Sequence, residues 1–235
     1  MPAPLTVLFE DNHCLAVAKP APLLTQGVPA GIVTLESLVK EYLREKYGKK
    51  GRVYLGIPHR LDRPVSGVVL FARQTVSAQR LAEQFRQRLV TKTYWAVVEG
   101  EVQPAEGIWM DWLVKLADES RTVTASQETP GARQAILRYR QLASISEGTM
   151  LEMIPETGRM HHLRVQAATR GWPIRGDEWY GAKLPFGPPA VESRDRVIAL
   201  HARSLTFLHP IRFEPITVVA ALPDYWQIFG IPEQI

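Results

Sequence analysis

Two apolar runs, Leu5 to Phe9 and Leu15 to Ala18, flank the polar stretch Glu10-Asp11-Asn12-His13, a pattern that predicts a hairpin ending at Lys19-Pro20. The period then changes. Leu35, Leu38, Val39, Tyr42 and Leu43 follow helical spacing, with Thr34 as N-cap and Gly48 as stop. Val68 to Ala72 reads as a strand, and Ala78, Leu81, Ala82, Phe85 and Leu89 form a second helical stripe. Lys92 to Gly100 has the β-branched and aromatic content of a strand that closes at a glycine turn. Further strands are expected at 136–142, 149–154, 204–208 and 216–221. A short helix from about Arg159 to Arg170, capped by Thr157 and ended by Gly171, is also expected. Residues 121–135 and 185–196 are rich in Thr, Ser, Pro, Gly and charge and read as surface loops.

Strands joined first by hairpins, with single helices between them, predict an α+β fold whose central sheet is mixed and mostly antiparallel, flanked by helices and loops. No internal repeat or interdomain boundary is visible, so residues 1–235 read as a single domain. The chain is long enough to bury a substantial core. No apolar run approaches the roughly 18 to 20 residues of a membrane span, and Met1-Pro2-Ala3-Pro4-Leu5 lacks the features of a secretory signal. A cytoplasmic protein is expected.

Composition narrows the chemistry. Cys14 is the only cysteine, which excludes an internal disulfide framework and thiolate-rich metal sites. Neither GxGxxG nor GxxxxGK[ST] occurs, so a nucleotide cofactor lacks its usual support. A net charge of +4 and a pI near 9.3 fit a polyanionic partner without establishing one.

The densest chemistry lies in His59-Arg60-Leu61-Asp62-Arg63-Pro64-Val65-Ser66-Gly67, where one carboxylate stands between two guanidiniums. Such an acid stays ionised and available as a nucleophile or base, or else anchors a turn. A second cluster, Gly158-Arg159-Met160-His161-His162-Leu163-Arg164, places two arginines around adjacent histidines. That spacing does not suit a metal, since it lacks the i, i+4 histidine pair, and the arginines suit an anion or a carboxylate. His161 and Arg164 would share a helix face, with His162 pointing elsewhere. Tyr94 shares a strand face with Lys92 and is either packing or a stacking platform for a nucleobase. Asp177-Glu178 reads as a pair of acids that order a glycine-bounded turn.

Five segments taken in order, HRLDRPVSG at 59–67, KTYWAVVEG at 92–100, TGRMHHLRVQ at 157–166, GWPIRGDEWYG at 171–181 and LHARSLTFLHP at 200–210, resemble the RluA-type pseudouridine synthases. The likeness covers nearly the whole chain, including the opening hairpin. It implies the pseudouridine synthase catalytic fold and an isomerase that detaches uracil from C1′ of a uridine in ribosomal or transfer RNA, rotates it and rejoins it through C5. It implies Asp62 as nucleophile, Tyr94 stacked on the target base and Arg164 paired with Asp62, with Arg60 supporting the flipped nucleotide. His59, Arg63, Lys92, Arg159 and His161 are then expected at the substrate. No cofactor or metal is expected, because an isomerisation involves no net redox change or hydrolysis.

Within that pattern His162 stands where Gln is usual, Gln166 where His is common, Val65 where Thr is usual and Ala18 where Asn is usual. No RNA-binding module is expected before the first hairpin, so target choice would fall to basic residues such as Lys49, Lys50, Arg52, Arg80, Arg86 and Arg88. A non-catalytic RNA-binding or folding factor, or an N-glycosidic hydrolase, are the alternative functions.

Overall fold

In a computed structural model of the protein, residues 5–27, 31–117 and 119–230 are described. Along the chain come β1 (Thr6–Glu10), β2 (Cys14–Lys19), α1 (Leu35–Lys46), β3 (Ser66–Ala72), α2 (Thr75–Arg86) and β4 (Thr91–Glu99). There follow β5 (Glu106–Lys115), β6 (Thr122–Ala125), β7 (Arg133–Ile145), β8 (Gly148–Pro155), α3 (His162–Thr169), β9 (Leu200–Leu208) and β10 (Pro215–Val219). The chain divides into two compact units, one running to Thr91 and including Ala202–Leu222, the other comprising Lys92–His201 and the segment from Pro223.

In the first unit the strand order is β1-β2-β3-β9, with β10 paired to β9. The β1–β2 hairpin is tight because Asp11 Oδ1 accepts the backbone N–H groups of His13 and Cys14, both at 2.8 Å. β2 and β3 are antiparallel from Cys14↔Ala72 to Lys19↔Gly67, and every residue of β3 is buried, which explains its unbroken apolar run. Helix α1 starts at a capping box: the Thr34 hydroxyl accepts from Ser37 N, and the Ser37 hydroxyl accepts from Thr34 N. The stripe of α2 enters the core through Leu81, which packs with Cys14, Ala16, Leu70, Leu205 and Phe207. Each such side chain contributes about 1.5–3 kcal/mol by burial.

The other end of this core is closed by His209, whose Nδ1 accepts the N–H groups of Ile211 and Arg212 at 3.2 and 2.9 Å. Its proton therefore sits on Nε2 and is donated to Asp11 Oδ2 at 2.6 Å. Burial raises the Asp11 carboxyl, but the N–H groups of Cys14 and His13, and then His209, outweigh it and lower it to about 2. Asp11, Cys14 and His209 lie close enough to suggest a cation site. The hydrogen bonds already made by Asp11 and His209, and the Arg212 guanidinium 3.2 Å from Asp11, make the trio a clamp instead.

In the second unit the strands run β4-β8-β7-β5-β6, all antiparallel, with Tyr94↔Met153, Met110↔Ile136 and Trp112↔Ala125 among the registered pairs. Strand β6 and the start of β7 correct the sequence expectation of a loop over 121–135. Thr122–Ala125 is too short and too rich in threonine to show a period, yet it forms a ladder with β5. One face of β5 is inward: Leu113 packs with Ala135 and with Val165 of α3. Helix α3 begins at His162 rather than Arg159, because His161 adopts the left-handed conformation with φ 55° and serves as its N-cap residue. Among the described residues no helix is long and apolar enough to cross a membrane.

Candidate active site

The loop carrying Asp62 is held by contacts to both ends. His59 Nε2 accepts the N–H of Leu70 at 2.9 Å, and its ring stacks on Phe85 of α2 at 4.7 Å. A histidine so placed carries its proton on Nδ1 and anchors the loop to β3 and α2. The Asp62 carbonyl accepts the N–H of Val65 at 3.2 Å, and Gly67, the second residue of β3, has φ +118°. A Cβ at Gly67 would lie 2.3 Å from the carbonyl oxygen of Ala202, so only glycine fits there. Leu61 and Val65 are buried, Asp62 and Arg63 are half-buried, and Arg60 is exposed.

Lys19, at the end of β2, is 1% exposed and reaches the same loop. Its ammonium donates to the carbonyls of Leu23, Pro20 and Arg63 at 2.6, 3.1 and 3.2 Å. Burial pulls its pKa down to about 7, Asp62 acts in the opposite sense, and Arg63 adds to the lowering. The resulting electrostatic environment of Asp62 therefore includes a buried lysine that the local motif does not contain.

The second unit holds the remaining predicted residues. Lys92 and Tyr94 are half-buried on β4, two positions apart and thus on one strand face. Arg159 donates from Nε to the carbonyl of Gln134 at 3.0 Å, which ties the turn before α3 to β7. Thr157 does not cap α3 as expected. Its hydroxyl accepts the N–H of Ile136 at 3.0 Å instead. His161 Nδ1 lies 2.8 Å from the hydroxyl of Tyr180, with the two rings edge to face.

Arg164 is 3% exposed and meets a carboxylate that the sequence assigned only to a turn. Its Nε donates to Asp177 Oδ2 at 2.6 Å and its Nη2 to Asp177 Oδ1 at 2.8 Å, a bidentate pair. The guanidinium also lies 4.9 Å from the centre of the Tyr180 ring. Asp177 and Tyr180 thus fix the orientation of Arg164. The signal for them was the segment Gly176-Asp177-Glu178-Trp179-Tyr180-Gly181, whose left-handed Gly176 and Gly181 frame the short 3₁₀ turn.

The two departures from the family pattern on α3 lie one helical turn apart. His162 Nδ1 sits 3.1 Å from the carbonyl of Thr157, and Gln166 donates to Asp111 Oδ2 at 2.6 Å. His162 Nε2 and Gln166 Oε1 have no hydrogen-bond partner among the described residues. Burial pushes the imidazole down from 6.5 to about 4, against the Thr157 and Gln166 contacts and with help from Lys92 and Arg159. Because the folded value is the lower one, the unfolded chain takes up the proton first as pH falls below 6.5. The stability this neutral ring contributes is present above pH 6.5 and is lost as pH falls through 4. We expect a loss of about 3 kcal/mol over that window. His162→Gln should show a smaller loss when urea unfolding is compared at pH 7 and pH 4, and an unchanged loss would refute the assignment.

Two of the basic residues considered for RNA contact are engaged within the first unit. Arg80 donates to the carbonyl of Pro210 at 2.8 Å and covers the Phe213 ring, and Arg86 pairs with Glu83.

Residues 13–169, which contain Asp62, Tyr94 and Arg164, match the family model described as RNA pseudouridylate synthase. The chain is 34% identical to a tRNA pseudouridine synthase C of Haemophilus influenzae, with 95% of each chain covered. It is also 34% identical to a ribosomal large subunit pseudouridine synthase D of Xanthomonas campestris, over 94% of this chain and 67% of that one. A solved human structure, RNA pseudouridylate synthase domain containing 4, superposes with a TM-score of 0.76 at 25% identity, covering 94% of this chain and 90% of that one. A match that spans the predicted site residues, with relatives aligned along nearly the full chain, shows that this protein belongs to the RNA pseudouridylate synthase family.

Proposed function

We propose that the protein is an RNA pseudouridine synthase that isomerises specific uridines in a structured transfer or ribosomal RNA in the cytoplasm. The observation that carries this reading is the family match over residues 13–169, which includes the tethered Asp62 loop. The relatives' names point to tRNA and to large-subunit rRNA as the substrate class.

The chemistry assigned to the site breaks the N1–C1′ bond of uridine, turns the detached uracil and joins C5 to C1′; the C5 proton is released and N1 takes up a proton, so the product is an isomer of uridine. Asp62 is the nucleophile. Tyr94 stacks on the extruded base, a contact that offsets part of the few kcal/mol spent on unstacking the nucleotide. Arg164, held by Asp177, supplies fixed positive charge where anionic character must be stabilised. Arg60, exposed on the Asp62 loop, meets the RNA, and Arg63, Lys92, Arg159 and His161 contribute to binding.

Mapping pseudouridines across total cellular RNA with and without this protein identifies the target. Pseudouridine absent at one or a few positions in the deficient cells is the expected result. Incubation of that RNA with the purified protein should leave its mass unchanged. Release of free uracil would instead identify a hydrolase, and unaltered RNA that is still bound would identify a non-catalytic factor.

A further inference from the structure

The Asp62 loop is gripped on its N-terminal side by a residue that no motif includes. Thr25 is 2% exposed and lies in the segment that follows β2. Its hydroxyl donates to the carbonyl of Leu61 at 3.0 Å and accepts the N–H of the same residue at 3.2 Å. One hydroxyl thus does for Leu61 what a neighbouring strand would do, satisfying both of its backbone groups. The carbonyl of Leu61 belongs to the peptide that joins it to Asp62, so its orientation is set by this contact.

Thr25 is itself rigidly placed. The carbonyls of Leu24 and Thr25 accept the N–H groups of Leu35 and Glu36, the first two residues of α1, at 2.9 and 3.0 Å. The capped start of α1 is therefore joined through Thr25 to Leu61. On the far side of Asp62 the Lys19 ammonium holds the Arg63 carbonyl at 3.2 Å. The peptide that precedes Asp62 and the one that follows Arg63 are thus each held by a buried polar side chain, the Asp62 carbonyl between them accepts the N–H of Val65, and Leu61 and Val65 are themselves buried at 5% and 2% exposure.

We propose that Thr25 is a positioning residue for the isomerisation, acting through Leu61 to fix the direction from which the Asp62 carboxylate meets the target nucleotide. The inference rests on Asp62 being the reacting group. Thr25 itself touches neither substrate nor reacting atoms, so its removal should appear in kcat rather than in RNA binding. A displacement of about 1 Å at a reacting group can cost roughly a hundredfold in rate.

The test compares Thr25→Ser with Thr25→Ala, both of which lose the methyl group while only the second loses the hydroxyl, with Thr25→Val as the isosteric control and Asp62→Asn as reference. Single-turnover rates, KM and melting temperature are measured for the full chain on the mapped RNA. Expected is a kcat for Thr25→Ala about ten- to a hundredfold below that of Thr25→Ser, with KM within about twofold and Thr25→Ser near the native rate. Thr25→Val should follow Thr25→Ala. Equal kcat for the Ser and Ala variants overturns the proposal, as does a loss that follows only melting temperature or KM. If Asp62→Asn retains native activity, the assignment of Asp62 fails and Thr25 has nothing to position. An inactive Asp62→Asn beside indistinguishable Thr25 variants refutes Thr25 alone.

Discussion

Asp62→Asn should lower the rate of pseudouridine formation by roughly ten-thousandfold or more while RNA affinity stays within a fewfold of native. The amide keeps the size and shape of the carboxylate but loses the charge and the nucleophilic oxygen. A group that acts only in the transition state affects kcat and kcat/KM together and leaves ground-state binding alone. The loop supports this separation. His59 anchors it to Leu70 and Phe85, and Lys19 holds the Arg63 carbonyl, contacts that the substitution keeps. Binding measured on the mapped RNA, alongside nucleoside analysis of the product, separates the two effects. Loss of binding in proportion to activity would make Asp62 a binding residue instead.

Asp177→Asn should destabilise the protein by about 3–5 kcal/mol, because it removes the buried carboxylate that Asp177 presents to the Arg164 guanidinium through two hydrogen bonds. The side chains of the pair are only 4% and 2% exposed, so water cannot replace the lost carboxylate. An asparagine presents one oxygen and one amide donor where Arg164 now has two acceptors. By contrast the Arg138–Glu156 pair, 64% and 33% exposed, should contribute no more than about 1 kcal/mol. Urea unfolding of the single variants decides between these magnitudes. The double variant Arg164→Met/Asp177→Leu should regain much of the lost stability yet remain inactive, because a buried pair exchanged for apolar packing costs little. Recovery of activity in that double variant would remove Arg164 from the chemistry.

The elements legible in the sequence are those whose pattern is local. The β1–β2 hairpin showed its polar tip, and α1 showed both its stripe and Thr34 at its start. Strand β5 received no assignment because apolar residues occur on both of its faces: Trp109 and Leu113 are buried while Ile108 and Met110 are exposed, so no two-residue period stands out. The start of α3 was misplaced because its cap is a backbone conformation at His161 and not a side-chain hydrogen bond.

The site follows the same rule. Asp62, Tyr94 and Arg164 lie in compact motifs that match the family in order. Asp177 was visible as a residue, but its partner stands 13 positions away and its own turn looked self-sufficient. Thr25 is 36 positions from Leu61 in a segment without periodicity, and only the folded chain brings the two together. Lys19 was read as the end of a strand, and its burial beside the Asp62 loop emerged only from packing.

The central claim is that this chain isomerises uridine through Asp62. Tritium release from RNA carrying uridine labelled at C5, followed in a single turnover with native protein and with Asp62→Asn, tests it most directly. One tritium released per uridine converted to pseudouridine by the native protein, and none above background by the variant, is the predicted result. Equal release by both proteins would contradict it.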